Sequence, residues 1–240
     1  MSCSRANSRA LRSWTTGWQQ APESSLDPNN ENGPIPFTSS SLLGLAYVRI
    51  HLNLGPYRQL ETRDPSRIAA ALCRCPGVRR GADGVVSALL YAAHALSVPV
   101  RLGVDRIARS QAFFWSVRHS LAGLECAVLL SKWLASLQQG APAQPLTGSE
   151  ERILHWVRCI VEEAFDVVDF GGEEGGEEAG ERRQQQQLSL DPQGLSLAVL
   201  KIWAHFFKSN TQWPFINIIG ASLERYREML IRGSGQRPLP

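Results

Sequence analysis

Lysine is nearly missing from this chain. Of 25 basic residues among 240, only Lys132, Lys201 and Lys208 are lysines. Arginine therefore carries the positive charge. It suits interfaces and ion pairs, and a GC-rich genome would enrich it equally. A net charge of +3 is no argument for a nucleic-acid partner by itself. Cysteine is scarce and odd in number: Cys3, Cys73, Cys75, Cys126 and Cys159. That excludes a disulfide scaffold and reads as reduced thiols in an intracellular protein. Long apolar runs are missing too. The stretch 85–100 is broken by His94 and Pro99 and falls short of the roughly 20 residues a membrane helix needs. The run 121–137 carries Glu125 and Lys132. Both read as buried core helices, and no membrane partner is expected. The N-terminus lacks the apolar core of a secretory signal.

Catalytic signatures are absent as well. The sequence holds no H-E-x-x-H, G-x-S-x-G, Walker A or G-x-G-x-x-G. Neighbouring acids such as Glu162 and Glu163 diverge on a helix. Cys73-Arg74-Cys75 is a C-x-C with no second pair at zinc-finger spacing. Cys126 and Cys159 lie in helical runs and behave as small apolar residues. His51, His94, His119, His155 and His205 are scattered singly, and those at 94, 119 and 205 read as core or rim histidines. No catalytic, cofactor-binding or metal-ligating residue is assigned, so the chain is read as a non-enzyme. Arginines at 58, 63, 67, 74, 79 and 80, and at 101, 106 and 109, form two local clusters. Without interleaved aromatics they read as solvated or ion-paired groups.

What is present is helical periodicity. Residues 1–37 are polar and end in ESSLDPNNENGPIP, which reads as a flexible arm or linker. Apolar residues at helical spacing then begin near Ser39 and run to Leu54. Asp64-Pro65 and Asp191-Pro192 each pair a favoured N-cap with a proline at the first helical position. Thr147 and Glu150 have capping-box spacing. Helices are predicted over about 39–54, 64–76, 83–97, 111–138, 147–165, 191–207 and 214–231, with Pro99 breaking the third and a short helix or turn over 101–110. Trp203, Phe206, Phe207, Trp213 and Phe215 are expected to form an aromatic core cluster, and Phe113, Phe114 and Trp115 read as core. Only 98–104 and VVDF near 167 look even slightly strand-like. The fold class is all-α, about seven helices over 38–232 with a tail at 233–240. From 162 to 181 there are nine acids and no base. GGEEGGEEAGERRQQQQ, 171–187, is low in complexity and reads as a disordered, tolerated insert.

SSLLGLAYVRIHLNLGPYRQLETRDPSRIAAAL (40–72), ALLYAAHALSVPVRLGVDRIARSQAFFWSVRHSLAGLECAVLLSKWL (88–134) and LSLAVLKIWAHFFKSNTQWPFINIIGASLERY (195–226) together carry a resemblance. In order and combination they resemble the regulatory, or middle-homology, domain of fungal-specific transcription factors of the xylanolytic-activator type. The likeness is greatest to the branch with paired C2H2 zinc fingers. The resemblance implies an all-helical regulatory domain, nuclear residence and partners in the transcription machinery or a sister subunit. Zinc and DNA contact would belong to fingers that have no counterpart among these residues, where C-x₂₋₄-C…H-x₃₋₅-H spacing does not occur. Either the chain is a truncated gene product or it is a finger-less relative. The alternative function is a free-standing helical interaction protein that competes with finger-bearing relatives. An enzyme with an unrecognised site comes third. No residue supports a small effector.

Overall fold

The structure is a computed structural model, and it describes residues 2–27, 31, 34–82, 84–103, 116–138, 145–168, 191–210 and 213–235. Among these the regular structure is wholly helical. Nine α-helices follow in order: α1 Ser2–Gln19, α2 Pro34–His51, α3 Gly55–Arg58, α4 Pro65–Arg74, α5 Val85–Leu102, α6 Val117–Ser136, α7 Gly148–Val167, α8 Pro192–Lys208 and α9 Pro214–Gly235. A single 3-10 turn, Leu60–Thr62, joins α3 to α4. The insert expected at 171–187 lies outside the described residues, as do Phe113, Phe114 and Trp115.

The expected caps are present. The Asp64 carboxylate accepts from the backbone N–H groups of Ser66 and Arg67, and that of Asp191 accepts from Gly194 at 2.7 Å. Thr147 and Glu150 close a reciprocal box, with Oε2 of Glu150 accepting the Thr147 N–H at 2.9 Å. Each arrangement satisfies donors that a helix N-terminus otherwise leaves open.

Helix α6 is the axis of the molecule. It is apolar nearly all round, as a helix enclosed by others must be. Helices α2 and α5 pack on it from one direction and α8 from another, while α9 lies against α8 and α4, and α7 against α5 and α8. Gly123 lets α8 approach: a Cβ there would lie 2.8 Å from the Trp203 ring. Ser131 of α6 and Ser196 of α8 meet in the core with their hydroxyls 2.9 Å apart, and Ser196 Oγ donates to the Ser131 carbonyl at 3.0 Å. Trp203 stacks on Phe207 and meets Phe206 edge-on.

Five expectations are corrected. Residues 2–19, read as part of a polar arm, form α1, which packs on α2 and joins it through Thr15 Oγ1 and the Tyr47 hydroxyl, 3.1 Å apart. Pro99 does not break α5. One lost backbone bond in the last turn is outweighed by burial of Val98, Pro99 and Val100, and Gly103 ends the helix. The helix expected over 111–138 is not continuous through Ser116, which is extended and serves as N-cap to Val117–Ser136; residues 111–115 lie outside the described residues. Trp213 leaves the aromatic cluster: it precedes α9 and is 54% exposed. The slightly strand-like 98–102 is part of α5. Its helix is the only one, among the described residues, long and apolar enough to cross a membrane. Ten of its 18 residues are buried in the body, while Leu90 stands exposed.

Candidate functional site

The most heavily constrained polar group is Glu125, in the middle of α6 and only 1% exposed. A carboxylate is seldom buried without a cation. Here two arrive from sequence-distant elements. Arg49 of α2 donates through Nε to both oxygens, at 3.2 and 3.0 Å, and through Nη2 at 2.7 Å; Arg58 of α3 donates through Nη1 at 3.0 Å. Bidentate, charge-assisted bonds of this kind are the stronger ones. They hold the Arg49 guanidinium above its ordinary range. Both oxygens of Glu125 are occupied, which suits a structural strut and not a proton carrier. Two guanidinium charges meet one carboxylate, so a net positive charge remains at the surface, where the Arg49 side chain is 49% exposed. The sequence signal for this cluster was a lone Glu inside an apolar helix. Arg58 was grouped instead with a local basic cluster. That cluster is divided in space: Arg58 turns inward to Glu125, while Arg80 approaches Glu150 at 4.0 Å.

A small cavity of about 40 Å³ lies between α2, α5, α6 and α8, lined by Phe37, Tyr91, His94, His119 and Trp203 among others. It has room for a few waters and not for a cofactor. His119 stacks on Phe37 with centroids 4.8 Å apart, and its Nδ1 accepts the Ser116 N–H at 3.0 Å. Burial, reinforced by Arg118, pushes its pKa down to about 4. Burial likewise lowers His94. The two imidazoles are therefore neutral near pH 7. No carboxylate lines the cavity among the described residues, so there is no acid–base pair here. His119 is a capping residue, a role its spacing from Ser116 encoded without being read.

The thiols do not converge on a metal site: among the described residues no three His, Cys, Asp or Glu come together. Cys73, at the end of α4, lies 3.8 Å from the Met229 sulfur of α9. Cys75 caps α4, and its carbonyl accepts from Lys132 Nζ at 2.6 Å. Burial raises both thiols, more than nearby Lys132 lowers them. Cys126 is fully enclosed and pushed up to about 12. Cys159 faces His155 on the exposed side of α7, 3.8 Å away. Burial thus favours the protonated, less nucleophilic form of Cys73, Cys75 and Cys126.

A larger concavity lies elsewhere, between α1 and α2. It is a groove of about 740 Å³ lined by Asn7, Ala10, Leu11, Trp14, Ala46, Arg49 and Ile50. Trp14 is 47% exposed and stacks on Trp18 at 5.7 Å. Arg49 thus has two faces, one on Glu125 and one on this groove. The sequence reading, which placed an arm here, missed it. The signal was the recurrence of Ser8, Leu11, Thr15 and Trp18 at helical spacing.

A family model described as the fungal transcription factor C-terminal domain matches residues 53–225. No curated protein and no solved structure matches the chain. The matched span begins just after α2 and ends within α9. It contains Glu125 and Arg58 and leaves out α1, α2 and Arg49.

Proposed function

On the premise that this chain belongs to the fungal transcription factor C-terminal domain family, and so to transcription regulation, we propose that its helical body is the regulatory, protein-binding part of a zinc-finger transcription factor. It acts in the nucleus and carries out no chemistry of its own. Fingers outside these 240 residues would read DNA and hold zinc. The helical body would bind the transcription machinery or a sister subunit and so set their activity.

One observation carries this reading: the family match spans the enclosed helical core itself and not a detachable motif. The polar groups of the core are consistent with it. Glu125 is saturated by arginine and His119 is used in a cap, and burial raises the thiols of Cys73, Cys75 and Cys126. The test fuses this chain to a heterologous DNA-binding domain in a fungal reporter strain. Reporter output that shifts several-fold, up or down, with nuclear accumulation of the fusion is the expected result. A silent reporter, wherever the fusion accumulates, would overturn it.

A further inference from the structure

The groove between α1 and α2 is not needed to close the core, and its lining has the character of a recognition surface. Tryptophan and arginine are the residues that most often dominate binding energy at interfaces. Here Trp14 stands half-exposed over Leu11, Ala46 and Ile50, with Arg49 on the same surface. The volume is that of an ordinary ligand cleft, yet its walls are two helices open along their length, a form that accepts an amphipathic segment.

Charge names the occupant. Neither α1 nor α2 contains a single Asp or Glu, while Arg5, Arg9, Arg12 and Arg49 lie on them. Glu125 neutralises one of the two guanidiniums it binds. Among the described residues Nη1 of Arg49 takes no part in that clamp. A cation bordering an apolar trough favours an acidic partner, and the surrounding arginines raise its encounter rate.

We propose that this groove docks an acidic, amphipathic segment of a partner protein, with its apolar side chains between Leu11, Trp14, Ala46 and Ile50 and a carboxylate on Arg49. The proposal rests on the interaction reading above and adds where contact occurs and with what chemistry. Because α1 and α2 both precede residue 53, the docking site lies outside the family-matched span. Nucleic acid is the less suitable occupant. Arg9 and Arg12 are exposed on the side of α1 away from Asn7, Ala10 and Trp14, so they cannot share phosphates with Arg49 across the groove.

The probe is a fluorescein-labelled 16-residue peptide with leucines at helical i, i+4, i+7 spacing and Asp or Glu elsewhere. Its binding to the full chain is followed by anisotropy. Trp14→Ser and Ala46→Glu should each weaken binding at least tenfold with an unchanged melting curve, and Arg9→Ala/Arg12→Ala should slow association with little effect on dissociation. A scrambled peptide of the same composition should bind at least tenfold more weakly. No peptide binding, or binding indifferent to Trp14→Ser and Ala46→Glu, overturns the proposal. So does a 20-base-pair duplex that displaces the peptide and is itself lost with Arg9→Ala/Arg12→Ala, or sedimentation of the chain as a dimer that Trp14→Ser dissolves. Trp14→Ser is also placed in the reporter fusion. A reporter that still responds although the peptide fails removes the groove and leaves the interaction reading standing. A reporter silent for the unaltered chain removes that reading, whatever the peptide does.

Discussion

Helices α6 and α1 are similar in length, 20 and 18 residues, and opposite in every other respect. In α6 fourteen residues are buried, including Ser131, which is met by Ser196 of α8, and a glutamate held by two arginines. In α1, among the side chains described, Ser8 alone is buried, while a tryptophan stands half in solvent. The first helix is fixed by neighbours on all sides. The second, among the described elements, leans chiefly on α2. A helix enclosed on every side has its sequence dictated by packing. A helix with one neighbour can change its outer face without disturbing the fold, and that freedom is what a recognition surface needs. The division follows the family match, which includes α6 and excludes α1.

Breaking the enclosed half should cost most. Trp203→Ala removes the ring that fills the space over Gly123 and is expected to lose about 3–5 kcal/mol, read from the urea midpoint. Arg49→Met/Arg58→Met strands the Glu125 carboxylate and should cost about 3 kcal/mol, most of it recovered when Glu125→Leu is added. His119 supplies a pH test. Its folded pKa lies below the ordinary histidine value, so its contribution is complete above about pH 6.5 and is lost as pH falls toward 4. The loss is on the order of 3 kcal/mol. His119→Gln, which keeps the cap spacing, should flatten that limb of a stability-against-pH curve. Thr147→Ala removes one cap and should cost about 1 kcal/mol. Trp14→Ser closes the series. On the open half it should change stability by less than about 0.5 kcal/mol, and a larger loss would mean that α1 belongs to the core after all.

Local chemistry was the legible part. Asp64, Thr147 and Asp191 announced their helices because a cap and its proline or glutamate sit within three residues. The apolar faces of α6 and α8 followed from periodicity. What the sequence concealed was non-local or compositional. Arg49 and Arg58 lie 76 and 67 residues from Glu125, and no spacing rule joins them. Helix α1 was hidden by its serines and arginines, which read as linker although Leu11, Thr15 and Trp18 recur on one face. Pro99 misled because the rule for helix interiors weakens in a last turn that is packed all round. The absence of a catalytic set was read from missing motifs alone. The arginine clamp on Glu125 and the cap made by His119 had no such motif to announce them.

The hydroxyls of Ser131 and Ser196 act as an index pin between two otherwise greasy cylinders. Apolar packing alone would tolerate α8 slipped by one turn along α6, with one leucine replacing another. In such a slipped state each serine would face hydrocarbon and forfeit a partner, at about 1–3 kcal/mol per hydroxyl. Two small side chains thus exclude misregistered packings, and the seating of the Trp203 ring over Gly123 follows from the notch they select.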